Sequence, residues 1–244
     1  MLRALSTAWL LTAFGLPGVR AQQARFSGWF FNLNTISLDA SKKWSLHTDI
    51  QLRSTDEWKQ TETFIFRPGL NYHASRKDIV TLGYALIEGW RTLGGIRDGL
   101  AEHRIWQQYI RLQPLAKAIL QHRFRLEERF IPVAEVSGDE LKRSATLYST
   151  RFRYFFRALM PFRPEKVFRK GAFAALQDEL FFNITHTSNV NGKLFDQNRA
   201  YAALGWRFSP SLDLEAGYVN QYVMGRGAAF TNNHILQLAL YLRR

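Results

Sequence analysis

The sequence predicts an all-β fold, a single up-and-down transmembrane antiparallel barrel of about 10–12 strands. Three observations carry that prediction. The chain opens on an export-type leader, most of the remaining residues alternate apolar and polar with period two, and arginine recurs at the polar positions of those alternating segments.

The leader has Arg3 as its positive start, a short apolar core from Ala8 to Leu16, a Pro17-Gly18 break, and small residues Val19 and Ala21 placed for cleavage. It is too short to cross a bilayer as a helix. Residues 1–21 are therefore expected to be a signal peptide, and residues 22–244 the barrel domain. No later stretch reaches 18 consecutive apolar residues, so no transmembrane helix is expected. The chain has no cysteine, which excludes a disulfide framework and any thiolate metal site. Aromatic residues make up 14% of the chain while mean hydropathy is only −0.24, a combination suited to a wall with two different faces. The net charge of +13 is spread along the chain instead of gathered in one patch, which argues against nucleic-acid binding.

Residues 26–36 form the first alternating segment. Trp44, Leu46, Thr48, Ile50 and Leu52 then share one strand face, with Ser45, His47, Asp49, Gln51 and Arg53 on the other. Phe64, Phe66, Leu70 and Tyr72 alternate with Ile65, Arg67, Gly69 and Asn71; Val80, Leu82, Tyr84 and Leu86 alternate with Thr81, Gly83 and Ala85. Segment 102–112 is ambiguous, because Ile105 and Tyr109 compete with Trp106, Ile110 and Leu112 for the apolar face. Gln121, Arg123, Arg125, Glu127 and Arg129 interleave with Phe124, Leu126 and Phe130, and Arg151 and Arg153 lie between aromatic residues. Residues 199–208, 212–219 and 235–242 continue the alternation to the end.

About eleven segments result, each near the ten residues a tilted membrane strand needs. Connections at 40–43, 73–77 and 209–211 are turn-like, while 54–60, 89–101, 131–145, 185–197 and 223–231 are expected to be longer loops. Trp29, Trp44, Trp58, Tyr72, Trp90 and Tyr222 lie near segment ends, where a headgroup belt takes amphipathic rings. Single-chain bacterial barrels have even strand numbers, so a twelfth strand is expected in the basic, proline-broken stretch 157–171. A soluble barrel would show the same alternation with its apolar face turned inward. The leader, the number of long segments and the bulk of the arginine face favour the membrane form in a Gram-negative outer membrane.

Four stretches carry a family resemblance: residues 67–72 (RPGLNY), 102–108 (EHRIWQQ), 177–183 (QDELFFN) and 195–206 (FDQNRAYAALGW). They are similar to the DUF2490 family, which implies an exported outer-membrane barrel and no assigned reaction. The chain ends Leu242-Arg243-Arg244 instead of on the aromatic residue usual in such strands.

Two constellations bear on chemistry. Arg53, Arg67, Arg111, Arg123, Arg125, Arg129, Arg151, Arg153, Arg199 and Arg207 are expected to line a lumen, joined by fewer acids: Asp49, Glu127, Glu179, Asp213 and Glu215. Arginine's rigid donor fork suits carboxylate and phosphate, and basic rings in a pore favour anions. The expectation is a small porin-like channel or binding barrel for anionic solutes, in contact with outer-membrane lipid including lipopolysaccharide. The competing reading is a closed structural or adhesion barrel, its charges paired across strands with help from Gln107, Gln197 and Asn198. The second constellation, His186-Thr187-Ser188-Asn189, resembles the His-x-Ser-Asn stretch of lipid A deacylase barrels. That resemblance implies an esterase with His186 as base and Ser188 as nucleophile, and it would need an orienting acid such as Asp196, Glu179 or Glu215. No phosphate loop, metal-binding motif or cofactor signature accompanies either.

Overall fold

The computed structural model describes residues 22–38, 43–55, 58–163, 165 and 167–244; the expected signal peptide lies outside them. Among the described residues eleven strands run β1 (Gln22–Ser37), β2 (Trp44–Thr55), β3 (Gln60–His73), β4 (Asp78–Leu93), β5 (Ile96–Pro114), β6 (Ile119–Ser137), β7 (Glu140–Pro161), β8 (Gly171–Thr185), β9 (Phe195–Ser209), β10 (Leu212–Met224) and β11 (Phe230–Arg243). Each strand pairs antiparallel with its sequence neighbours, and β1 pairs parallel with β11 to close the barrel.

The odd number overturns the expectation of a twelfth strand. Residues 157–161 belong to β7, and those described between Pro161 and Gly171 hold no strand. Closure needs no even count, because the β1–β11 ladder runs in register from Gln22↔Phe230 to Thr35↔Arg243. Backbone bonds from Arg244 N–H to Thr35 C=O (2.7 Å) and from Ser37 N–H to Arg244 C=O (2.6 Å) extend the seam to the chain end.

Two expected loops are strands. β4 and β5 continue to a two-residue turn at Gly94-Gly95, both at positive φ, and β6 and β7 continue to Gly138. Paired positive φ is the geometry of a tight hairpin. The alternation fades in these stretches because both faces of the ends meet the same surroundings. At the opposite rim the β3–β4, β5–β6 and β9–β10 connections are short; in the first of them Ser75 Oγ accepts from the N–H groups of Lys77 and Asp78, both at 3.0 Å.

The barrel is inside out relative to a soluble one. Leu82, Leu204, Leu236, Phe124 and Trp206 are exposed on the outer wall, while Asp49, Arg67, Arg125, Glu127, Arg153 and Glu215 are buried within. The ambiguous fifth strand resolves with Trp106 inside and Ile105 and Tyr109 outside. Gly69 and Gly83 make room for that indole: a Cβ at Gly83 would overlap it, and one at Gly69 would lie 2.8 Å away. Trp29, expected at a headgroup belt, is instead buried inside.

Candidate functional site: the interior arginine lattice

Alternation aims every second side chain of each strand at the barrel interior, where neighbouring strands bring opposite charges into register. Glu127 on β6 is the hub. Arg153 Nη1 donates to its Oε1 at 2.5 Å, Arg151 Nη2 to its Oε2 at 2.7 Å and Arg104 Nη1 to the same oxygen at 3.3 Å. Each of these arginines also reaches a second carboxylate. Arg153 donates to Glu179 (2.7 Å), Arg151 to Asp196 (2.9 Å) and Arg104 to Glu102 (2.7 Å). Arg123 shares Glu179 at 2.7 Å, and Arg129 shares Glu102 at 2.8 Å. Toward the short-turn rim, Arg67 pairs with Asp49 (2.7 Å), Arg157 with Glu215, and Arg207 and Arg243 both with Asp213 (2.7 Å each). One carboxylate thus commonly serves two or three guanidinium groups, which leaves the interior positive.

Aromatic faces carry part of that excess charge, as cation–π contacts do best away from water. Arg125 lies 4.5 Å from the Trp106 ring, and Arg153 and Arg199 lie 4.5 and 4.7 Å from Phe181. Arg125 donates its hydrogen bonds to Gln108 Oε1, at 2.7 and 3.1 Å, and stands 3.9 Å from Glu127. Arg123 and Arg129 keep side-chain exposures of 17% and 12%, so the lattice is not sealed throughout.

Of the arginines read from the sequence as lumen-facing, Arg53, Arg67, Arg123, Arg125, Arg129, Arg151, Arg153, Arg199 and Arg207 do point inward with Glu127 and Glu179. Arg111 does not. It follows Tyr109 onto the outer face and pairs at the rim with Asp78 at 2.6 Å, with its side chain 49% exposed. The ambiguous register of β5 caused the error, since Trp106 inside puts every odd residue of that stretch outside. For the same reason Gln108 and not Gln107 joins the lattice. On β9, Asn198 alternates away from the inward-facing Gln197 and Arg199 and bonds Asp178 instead (2.6 Å).

Sequence reasoning missed Arg104, Arg157 and Glu102 as interior residues. Arg157 was legible as the continuation of the Arg151, Arg153 period, whereas Arg104 and Glu102 depend on the register of β5. Asp196 reaches Arg151 only because the β8–β9 ladder shifts register beside it.

His186 and Ser188 lie in the β8–β9 connection, where Thr187–Asn189 make a 3-10 turn. His186 sits at φ 50 and meets Tyr148 edge-on at 5.5 Å. The Ser188 carbonyl accepts from Arg226 at 2.8 Å. No side-chain hydrogen bond joins His186 to Ser188 or to a carboxylate among the described residues, and Asp196, Glu179 and Glu215 are engaged with arginines. Those residues also hold no cluster of three or more potential metal ligands.

An apolar outer wall, a charged interior and a closed sheet, with no helix among the described residues long and apolar enough to cross a membrane, define the class of the molecule: an inside-out β-barrel, an architecture consistent with an outer-membrane protein. The profile of the family described as "Protein of unknown function (DUF2490)" matches residues 26–232, and the chain belongs to that family. No curated protein and no solved structure matches it.

Proposed function

We propose that the protein is a Gram-negative outer-membrane barrel that takes small anionic solutes into a basic interior. The apolar outer wall suits contact with membrane lipid, including lipopolysaccharide, and the carrying observation is the shortage of interior carboxylate. Glu127 is shared by Arg104, Arg151 and Arg153, Glu179 by Arg123 and Arg153, and Glu102 by Arg104 and Arg129, while Arg53 and Arg199 meet no carboxylate at ion-pair distance among the described residues. A positive interior concentrates anions and repels cations.

The test is conductance of the refolded protein in planar bilayers under a salt gradient. Anion-selective openings are the expected result. Cation selectivity would overturn the reading, as would silence from folded protein that also binds no anion.

A further inference from the structure

Three buried donors without acceptors converge at one place on the inner wall. The indole Nε1 of Trp29, Nε of Arg53 and Nε of Arg199 each have no hydrogen-bond partner. They belong to one cluster, with the Arg53 guanidinium 4.0 Å and the Arg199 guanidinium 5.2 Å from the Trp29 ring centroid. The two arginines are held toward each other by amides, not acids. Arg53 donates to Gln51 Oε1 at 2.5 Å and Arg199 to Gln197 Oε1 at 3.3 Å. Gln51 and Gln197 are themselves fixed, since Gln51 Nε2 donates to Asp49 at 2.9 Å and Gln197 Oε1 accepts from Gln221 at 2.6 Å.

Two like charges beside one ring repel, and buried unpaired polar groups are costly. Even Arg125, which donates to the Gln108 amide and lies over Trp106, stands 3.9 Å from Glu127; Arg53 and Arg199 have the amide oxygens and the aromatic face with no carboxylate at ion-pair distance among the described residues. Both arginines are only partly buried, although their unpartnered Nε atoms are themselves out of solvent. An acceptor-rich anion of charge −1 to −2 would neutralise the pair and satisfy forked N–H donors at the same time.

We infer that Arg53, Arg199 and Trp29 form a binding site for a small free oxoanion, of the phosphate or carboxylate type, on the inner wall at β1, β2 and β9. This rests on the reading of an anion-accepting interior and locates where the anion stops. Gln51 and Gln197 are positioning residues, each orienting one guanidinium.

The experiment titrates inorganic phosphate into protein refolded in lipid-free detergent, against chloride at matched ionic strength, by calorimetry and by the denaturant midpoint. Wild type should bind phosphate and gain stability from it. Arg53→Gln with Arg199→Gln should lose at least about tenfold in affinity, the equivalent of one charge-assisted hydrogen bond. The double variant is expected to fold, because it removes a repulsion, and its midpoint in chloride should equal or exceed that of wild type. Arg111→Gln on the outer rim should bind as wild type does. Phosphate binding retained by the double variant would overturn the site, as would binding seen only when phosphorylated lipid is supplied. Anion-selective conductance without phosphate binding would overturn the site and leave the broader reading standing; cation selectivity would remove both.

Discussion

Replacing Glu127 with glutamine tests whether the ion-pair lattice holds the barrel together. The substitution preserves shape but removes the charge that three buried arginines share, at 2.5, 2.7 and 3.3 Å. Removing one partner of a buried pair costs about 3–5 kcal/mol, chiefly because the other charge is left behind. Three contacts would suggest the top of that range. Each arginine, however, keeps a second carboxylate, Glu179, Asp196 or Glu102, so we expect about 3–4 kcal/mol. With a urea dependence of about 2 kcal/mol per M, that moves the unfolding midpoint down by roughly 1.5–2 M. The assay is reversible urea unfolding of the refolded protein in detergent, with Glu140→Gln, exposed at the start of β7, as the control. A Glu127→Gln midpoint within about 0.5 M of that control would refute the claim that the lattice stabilises the fold.

Gly83→Ala should destabilise by about 2–3 kcal/mol, the upper part of the range for overpacking, because the new methyl meets both the Trp106 ring and the Pro68 carbonyl oxygen at 2.6 Å. Gly89→Ala on the same strand meets nothing within 4 Å and should change stability by less than about 0.5 kcal/mol, and equal effects of the two would refute the packing argument. Expressed in a Gram-negative host, wild type and Ser188→Ala should leave the same lipid A mass spectrum, since no acid orients His186 among the described residues. Acyl loss with wild type that Ser188→Ala abolishes would show otherwise.

The wall was legible in the sequence wherever the two faces meet different surroundings. Ser45, His47, Asp49, Gln51 and Arg53 read as one face and lie on one face, and so do Arg123, Arg125, Glu127 and Arg129. Legibility failed where that contrast ends. Residues 89–101 and 131–145 read as loops because both sides of the rim hairpins are mixed, though backbone pairing carries β4 to Leu93 and β7 back to Glu140. In β5 the large apolar Trp106 faces the polar interior, inverting the cue and moving Arg111, Gln107 and Gln108 to the wrong sides. Its place depends on Gly69 and Gly83 of two other strands, a three-strand fit that no local pattern encodes. The Trp29 cluster was hidden in a similar way. Arg53 and Arg199 are 146 positions apart in the numbering and meet over one indole only because the barrel closes between β1 and β11.

That closure also explains why an odd count is tolerated. A barrel leaves no edge whichever way its last two strands run, provided every backbone donor and acceptor along the seam is paired. The parallel ladder covers fourteen residue pairs, from Gln22↔Phe230 to Thr35↔Arg243, as long a match as most antiparallel neighbours here achieve. Parallel closure does fix polarity: Gln22 stands at the rim of the long hairpins and Arg243 at the rim of the short turns. It also leaves β1 with β2 as its sole partner until β11, the last strand in sequence, is in place. The site on Trp29 inherits that dependence, since β1 carries the indole, β2 carries Arg53, and Arg199 on β9 reaches them only across β10 and β11. An open sheet lacking the seam would therefore hold the two arginines apart, and anion binding there should report closure of the barrel as directly as it reports the side chains themselves.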